Sequence, residues 1–327
     1  MAEASYDVVG VGEVMGLLDP DSSGPLEDVD GFALRIAGAE GNVLINLAHL
    51  GHTTAFISAV GADPVGRLVT RTLAEQGVNV DHVYVDDSAG TGVFFKERLG
   101  GEDRRVYYYR EGSAASRLGP GKVDLKKLGV PKVLTLSGVT LGLGDGTGIS
   151  ALARSVLDWA AAGRCQVVFD PNLRPSLWDG ARAVEEFAEL LPKIDVLLAG
   201  REELAALVPG TDPAAAADRL CEAGLVAVVV KDGAKGAVVH EDGRVTTLRP
   251  YPVDDVVDPV GAGDAFAAGV ISGLLHGWPV HEGAKVGAVL GARAVTIPGD
   301  WAPKTVDNAG TLLEQYNTAF GLVGERA

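Results

Sequence analysis

The chain is short of cysteine, of positive charge and of long apolar runs, and each shortage removes a class of function. Two cysteines in 327 residues, Cys165 and Cys221, stand far apart with no CxxC spacing, so a disulfide framework or a zinc site has no basis. A reducing cytoplasm suits such a chain. Lys and Arg number 28 against 44 Asp and Glu, a formal net charge of −16, and a field of that sign repels phosphodiesters and anionic lipid surfaces alike. Nucleic acid and membrane are disfavoured as partners, and an anionic ligand must be drawn in by a local cluster of positive groups. No uncharged apolar run approaches the ~18 residues a membrane span needs, and residues 1–7 lack the basic region of a signal peptide. Of six scattered histidines, only His49 and His52 are near neighbours, and they read as surface residues at a helix end rather than as ligands.

What is abundant describes a globular α/β chain. Hydrophobic residues make up 47%, enough at this length to bury a large core, and 44 glycines point to many tight turns. Val- and Leu-rich runs at 6–11, 54–60, 132–136, 166–169, 195–198 and 226–230 read as buried parallel strands. Helical patterns fall at 41–50, 64–76, 148–162, 181–191, 213–223, 261–276 and 281–296. The alternation predicts a parallel sheet covered by helices on both faces, and the length allows one large α/β domain or two ordinary ones. Residues 91–109 break the pattern: two β-rich runs around a polar turn predict a hairpin, a common form for a lid or an interface.

The stretch Asp258-Pro259-Val260-Gly261-Ala262-Gly263-Asp264, followed by an apolar helix, carries the most chemistry. Small residues at a helix start leave its first N–H groups unshielded, so Gly261, Ala262 and Gly263 can form an anion hole. Asp264 falls in the first turn, where the helix dipole favours its ionised form by ~0.3–1 kcal/mol, and a carboxylate there can take a proton from an attacking hydroxyl. Taken alone, the same loop could be a tight turn that Asp264 merely caps. Gly10, Gly12 and Gly16 give GxGxxxG, not dinucleotide spacing. The glycine-rich 138–148 lacks the Lys-Ser or Lys-Thr of a Walker A loop and reads as a connection leaving a strand.

With these motifs the chain resembles the ribokinase-like (PfkB) carbohydrate kinases. The signature at Gly261–Asp264 is joined by Gly38-Ala39-Glu40-Gly41-Asn42, by Gly61 to Gly66 with Asp63, by Asp170-Pro171-Asn172-Leu173-Arg174 and by Lys231 to Gly236, in the family's order. Tyr107-Tyr108-Tyr109-Arg110 and the late Gly299-Asp300 resemble the 2-keto-3-deoxygluconate kinases within it. The resemblance implies a single ribokinase-like α/β domain over 1–327, a mostly parallel sheet flanked by helices, with a small β lid near 13–37 and 91–110. It implies ATP and Mg²⁺, with Asp264 as base. Gly38, Asn42, Phe94, Tyr108, Arg110, Arg174 and Asp300 would address a sugar acid, and Asn172, Arg174, Lys231, Gly233, Gly236, Gly261 and Gly263 the nucleotide. A sugar carboxylate suits the planar guanidinium groups of Arg110 and Arg174; Tyr108, two residues before Arg110, shares its strand face. Read blandly, both arginines are surface ion-pair residues, Asn42 caps its helix and Asp300 is a loop acid. The Tyr- and Phe-rich lid edge suits a homo-oligomer contact. One position departs from the family: Gly200 stands where Asn is usual, while Glu203, with an indirect role toward Mg²⁺, is kept. The alternatives are a fructokinase or other neutral-sugar or nucleoside kinase and, from another class, a non-catalytic sugar-acid sensor.

Overall fold

The computed structural model describes residues 6–100, 103–144, 146–163 and 165–322. Its first half runs β1 (Val8–Val11), β2 (Met15–Pro20), β3 (Phe32–Ala37), α1 (Ala39–His49), β4 (Thr54–Gly61), α2 (Pro64–Glu75), β5 (Val78–Asn79), β6 (Val83–Asp86), β7 (Val93–Gly100), β8 (Asp103–Tyr109), β9 (Val133–Ser137) and α3 (Gly138–Leu141). There follow α4 (Ile149–Gly163), β10 (Gln166–Asp170), α5 (Gly180–Leu190), β11 (Val196–Gly200), α6 (Arg201–Leu207), α7 (Pro213–Glu222), β12 (Ala227–Lys231), β13 (Ala237–Glu241), β14 (Arg244–Leu248), α8 (Ala262–Leu275), α9 (Val280–Ala294) and α10 (Ala309–Ala319).

The large sheet has the order β14-β13-β12-β11-β10-β9-β1-β4-β5, with β6 also on β4. It is parallel from β12 to β5 and ends in an antiparallel hairpin, β13–β14. The expected α/β class is observed, and the six strands read from the sequence form its centre. Their apolar runs are nearly continuous because both faces are covered. On β10, Val167 and Phe169 point into one core with Leu152 of α4, Phe187 of α5 and Leu204 of α6. The intervening Val168 points into the other, with Leu44 of α1 and Ile271 of α8. The β13–β14 hairpin is absent from the sequence reading, although Asp242-Gly243 with φ of 49° and 69° is the two-residue turn that joins such strands.

A second, four-stranded sheet has the order β3-β2-β7-β8. The hairpin expected at 91–109 is β7 and β8, with Phe94 opposite Tyr108; its turn at 101–102 lies outside the described residues. On β7 the period of two puts Phe94 and Lys96 on the buried face, at 6% and 0% exposure.

The expected connection leaving a strand follows β9, and its residues 138–141 form a helical turn. One local expectation needs correction. His49 and His52 are half-buried rather than fully at the surface: the first bonds Gln76 Oε1 at 2.8 Å and the second Ser272 Oγ at 2.7 Å. Burial depresses the basicity of both rings. The helix end that carries them packs against α2 and α8 instead of facing water. Among the described residues no helix is long and apolar enough to cross a membrane.

Candidate active site

The parallel strands end on one edge, where β10, β11 and β12 deliver Asp170, Gly200 and Lys231. Across this edge lies the small sheet, and between them is a cavity of about 340 Å³. The start of α8 forms its floor. Gly261 caps the helix in the left-handed conformation, φ 84°, and a Cβ there would collide with the Asp300 carbonyl, so only glycine fits. The close glycine contacts of Gly269 and Gly273 with Gly287 and Gly283 seat α8 tightly on α9. That contact fixes where its first turn points.

Gly261, Gly263 and Asp264 line the cavity. Ala262 does not: its amide turns back to the Pro259 carbonyl at 3.4 Å. An anion hole here therefore rests on two of the three expected residues. Asn42, expected to address the sugar or, on the bland reading, to cap its helix, lines the cavity and donates its Nδ2 to Asp264 Oδ2 at 2.7 Å; Gly38 occupies the cap position, and its amide donates to Asn42 Oδ1 at 3.4 Å. The Asp264 carboxyl is raised from 3.8 to about 7. Burial is the main cause, the charges of Asp170 and Asp300 add to it, and the Asn42 bond and Lys231 work against it. That rise corresponds to roughly 4 kcal/mol, which outweighs the ~0.3–1 kcal/mol of the helix dipole. The dipole thus fails to keep this group in the ordinary carboxylate range, and the result is a base poised near neutrality.

Four basic side chains line the cavity, and three are already paired. Lys96 contacts Asp258 at 2.8 Å and Asp300 at 3.3 Å. Arg110 contacts Glu13 through Nε at 2.7 Å and Nη2 at 2.6 Å. Its guanidinium also lies 5.5 Å from the Tyr108 ring centroid, so the two share a face as the spacing predicts. Lys231 contacts Asp170 at 2.5 Å. Burial disfavours its charged form, but the Asp170 and Glu203 carboxylates outweigh that and hold its ammonium above the usual lysine range. Arg174 is exposed and, among the described residues, its side chain has no ion pair or hydrogen bond. It follows Asn172, whose φ of 38° is uncommon for a non-glycine residue and turns the chain off β10. The surface-pair reading of Arg174 fails; that of Arg110 holds in part, with a buried partner. Asp300 is no loose loop acid either, at 5% exposure.

Gly38, Phe94, Tyr108 and Asn172 line the same cavity. Gly233 and Gly236 lie beyond it, in the turn after β12, at φ of 52° and 96°. Glu203 lines the cavity, but its two oxygens accept the Leu173 N–H at 2.8 Å and the Gly200 N–H at 2.7 Å. It ties the loop after β10 to the start of α6. Gly200 itself has φ −64° and ψ 152°, open to any residue. Among the described residues no group of three or more His, Cys, Asp or Glu could hold a metal ion. Glu13 and Lys96 are not among the residues expected from the sequence, and Asp170, part of the motif that ends in Arg174, is expected there without a role. For Lys96 a signal exists: in the hairpin alternation it stands two residues from Phe94, on the inward face.

Comparison with known proteins gives the family and the fold. The model of the pfkB family carbohydrate kinases matches residues 6–305. The chain is 35% identical over 297 residues to a 2-dehydro-3-deoxygluconokinase of Bacillus subtilis, covering 90% of this chain and 91% of the relative. It is 30% identical over 310 residues to a 2-dehydro-3-deoxygalactonokinase of Haloferax volcanii, covering 94% and 96%. The structure of an uncharacterized sugar kinase from Pyrococcus horikoshii in complex with ATP, 23% identical, superposes with a TM-score of 0.80 over 94% of this chain and 99% of that one. That likeness shows the ribokinase-like fold, while the family match extends over nearly the whole chain and includes the glycine loop, Asp264 and Arg174. The chain belongs to the pfkB family of carbohydrate kinases.

Proposed function

We propose that the protein transfers the γ-phosphoryl group of MgATP to the primary hydroxyl of a small sugar acid, 2-keto-3-deoxygluconate in particular, giving the 6-phosphate. The observation that carries this is the presence in one cavity of Asp264, raised to about 7 at a glycine-capped helix start, and of the Arg174 guanidinium, which has no ion pair or hydrogen bond among the described residues. A base near neutrality suits a hydroxyl nucleophile. An uncommitted arginine suits a carboxylate or a phosphate. The sugar-acid kinases of B. subtilis and H. volcanii add support.

The substrate hydroxyl oxygen attacks the γ-phosphorus and its proton passes to Asp264. The bond to the β,γ-bridging oxygen breaks, and ADP leaves with that oxygen. The Gly261 and Gly263 amides face the moving phosphoryl oxygens, and Lys231 lies on the nucleotide side with Asn172, Gly233 and Gly236. The chain offers no cage for Mg²⁺: Glu203 is bonded to two backbone amides and Asp170 to Lys231. This fits an ion that enters on the nucleotide phosphates with most of its waters. When bound, the ion would supply positive charge to the transferring phosphoryl group.

Phe94, Tyr108 and Arg110 on the small sheet would cover the sugar and exclude water as a competing acceptor. The exposed Tyr107 and Tyr109 of β8 and Leu34 of β3 suit a homo-oligomer contact, which light scattering tests. Cytoplasmic residence suits the two free cysteines.

A neutral-sugar kinase is the competing reading. It draws on the pairing of Arg110 with Glu13, which leaves Arg174 as the uncommitted cation. A panel under MgATP comparing 2-keto-3-deoxygluconate, its galactonate-derived epimer, fructose, ribose and nucleosides decides. The highest kcat/KM is expected for a keto-deoxy acid; a preference for a neutral sugar overturns the assignment.

A further inference from the structure

Lys96 lies on β7 with a side chain fully shielded from solvent, between Asp258, also fully shielded, and Asp300, 4% exposed. Taking an ammonium and a carboxylate out of water costs several kcal/mol per ion, and an apolar side chain of similar volume would fill the same space without that cost. What the ammonium adds is directed attachment to two segments at once.

Both segments bound the glycine loop. Asp258 uses Oδ2 for Lys96 and Oδ1 to accept the Val260 amide at 3.1 Å. Asp300 places its backbone carbonyl in the space that a Cβ of Gly261 would take. Its carboxyl faces Lys96 and Asn42, and Asn42 also bonds Asp264. Lys96 therefore joins the small sheet to both sides of the turn that sets the Gly261 and Gly263 amides.

We infer that Lys96 is a positioning residue that holds the glycine loop in its working shape and links that shape to the seating of the small sheet. The inference rests on the reading of this loop and Asp264 as a phosphoryl-transfer site. Removing the ammonium leaves two buried carboxylates facing one another and frees the loop to shift. A misplacement near 1 Å at reacting groups costs about 10²-fold in rate.

The test compares wild type with Lys96→Ala, with and without n-propylammonium, which matches the methylenes and ammonium removed. The expected result is a kcat lower by about 10²-fold with KM for MgATP within about threefold. Propylammonium restores at least about tenfold of the loss; tetramethylammonium, which donates no hydrogen bond, restores none. Wild-type kcat in the variant, or a loss that propylammonium does not relieve, overturns the inference.

If Lys96→Ala does not fold, the double variant Lys96→Met/Asp258→Asn removes one charge from each side. The inference expects it to melt near wild type yet to keep the kcat deficit. Recovery of kcat together with the fold, or failure of both variants to fold, assigns the network to stability alone and overturns the inference. Failure of the phosphoryl-transfer reading has a different signature: the wild-type protein itself turns over no member of the substrate panel.

Discussion

The two arginines of the cavity separate under one substitution each, because one is committed to a buried partner and the other is not. Arg174→Ala removes an exposed guanidinium with no partner among the described residues, so folding stability should not change measurably. Its loss should appear in binding. A charge-assisted hydrogen bond to a carboxylate contributes about 1.5–3 kcal/mol, or roughly 10- to 150-fold in kcat/KM for the acid. Arg110→Ala behaves differently. It leaves Glu13, whose side chain is 1% exposed, with only the Ser113 hydroxyl at 2.5 Å. Breaking one side of a buried pair costs about 3–5 kcal/mol, and the 11% exposure of Arg110 argues for the low end. That is a fall in Tm of about 5 °C or more. Steady-state kinetics by ADP release, with 2-keto-3-deoxygluconate and with fructose at saturating MgATP, measure the first effect. Thermal melts followed by circular dichroism measure the second. Equal loss on acid and neutral sugar in Arg174→Ala, or an Arg110→Ala protein that melts with wild type, refutes the reasoning.

Other consequences concern the base and its loop. The acid limb of kcat/KM should have an apparent pKa of about 7, because the base works only when deprotonated; activity falls tenfold per pH unit below it, and a limb near 4 contradicts the raised value. The same group sets a stability slope. Between 3.8 and about 7 the folded chain holds one more proton than the unfolded chain, so stability declines as pH rises through that window. Asp264→Asn should flatten the slope in Tm measured from pH 4 to 8. Gly261→Ala forces a strained φ and a clash with the Asp300 carbonyl; kcat should fall about 10²–10³-fold, the range for loss of an oxyanion donor, and wild-type kcat would show that the loop does not act as one. Gly200→Asn should leave the fold intact and change KM for MgATP by less than about threefold, since the backbone is permissive and the one tight contact of the new Cβ, 3.1 Å, is with the end of a side chain, Glu203 Oε2, which needs to give only slightly.

The parts of the molecule legible in the sequence are those that one physical signal dominates. Strands buried on both faces announce themselves as Val/Leu runs, so β1, β4 and β9 to β12 are found with ends within two residues. The buried β2 carries Gly16, Asp19 and Pro20 among its apolar residues, and the half-exposed β3 and the β13–β14 hairpin mix polar and apolar residues, so their short runs do not stand out. In the site, a glycine before a helix and a conspicuous arginine are visible as residue types. Pairings are not: that Glu13 holds Arg110, that Asn42 bonds Asp264 and that Lys96 lies between two carboxylates depends on segments about 100, 220 and up to 200 positions apart in sequence. The dipole argument for Asp264 was sound in sign and too small in size, because burial, which no local pattern reports, acts more strongly on the same group. The net charge of −16 likewise acquires a narrower meaning. Three of four cavity cations are neutralised from within, so the burden of attracting an anion falls on Arg174, the amides at the start of α8 and the metal that accompanies ATP.

The central claim is that Asp264 takes the proton from a sugar-acid hydroxyl as it accepts the γ-phosphoryl group. The most direct measurement is single-turnover formation of the 6-phosphate from MgATP and 2-keto-3-deoxygluconate by wild type and by Asp264→Asn, with substrate binding measured in parallel. The account predicts phosphate on the primary hydroxyl with wild type and a rate lower by at least about 10²-fold in the variant, with binding retained. Transfer at the wild-type rate by Asp264→Asn, or no transfer by wild type while the sugar acid binds, would contradict it.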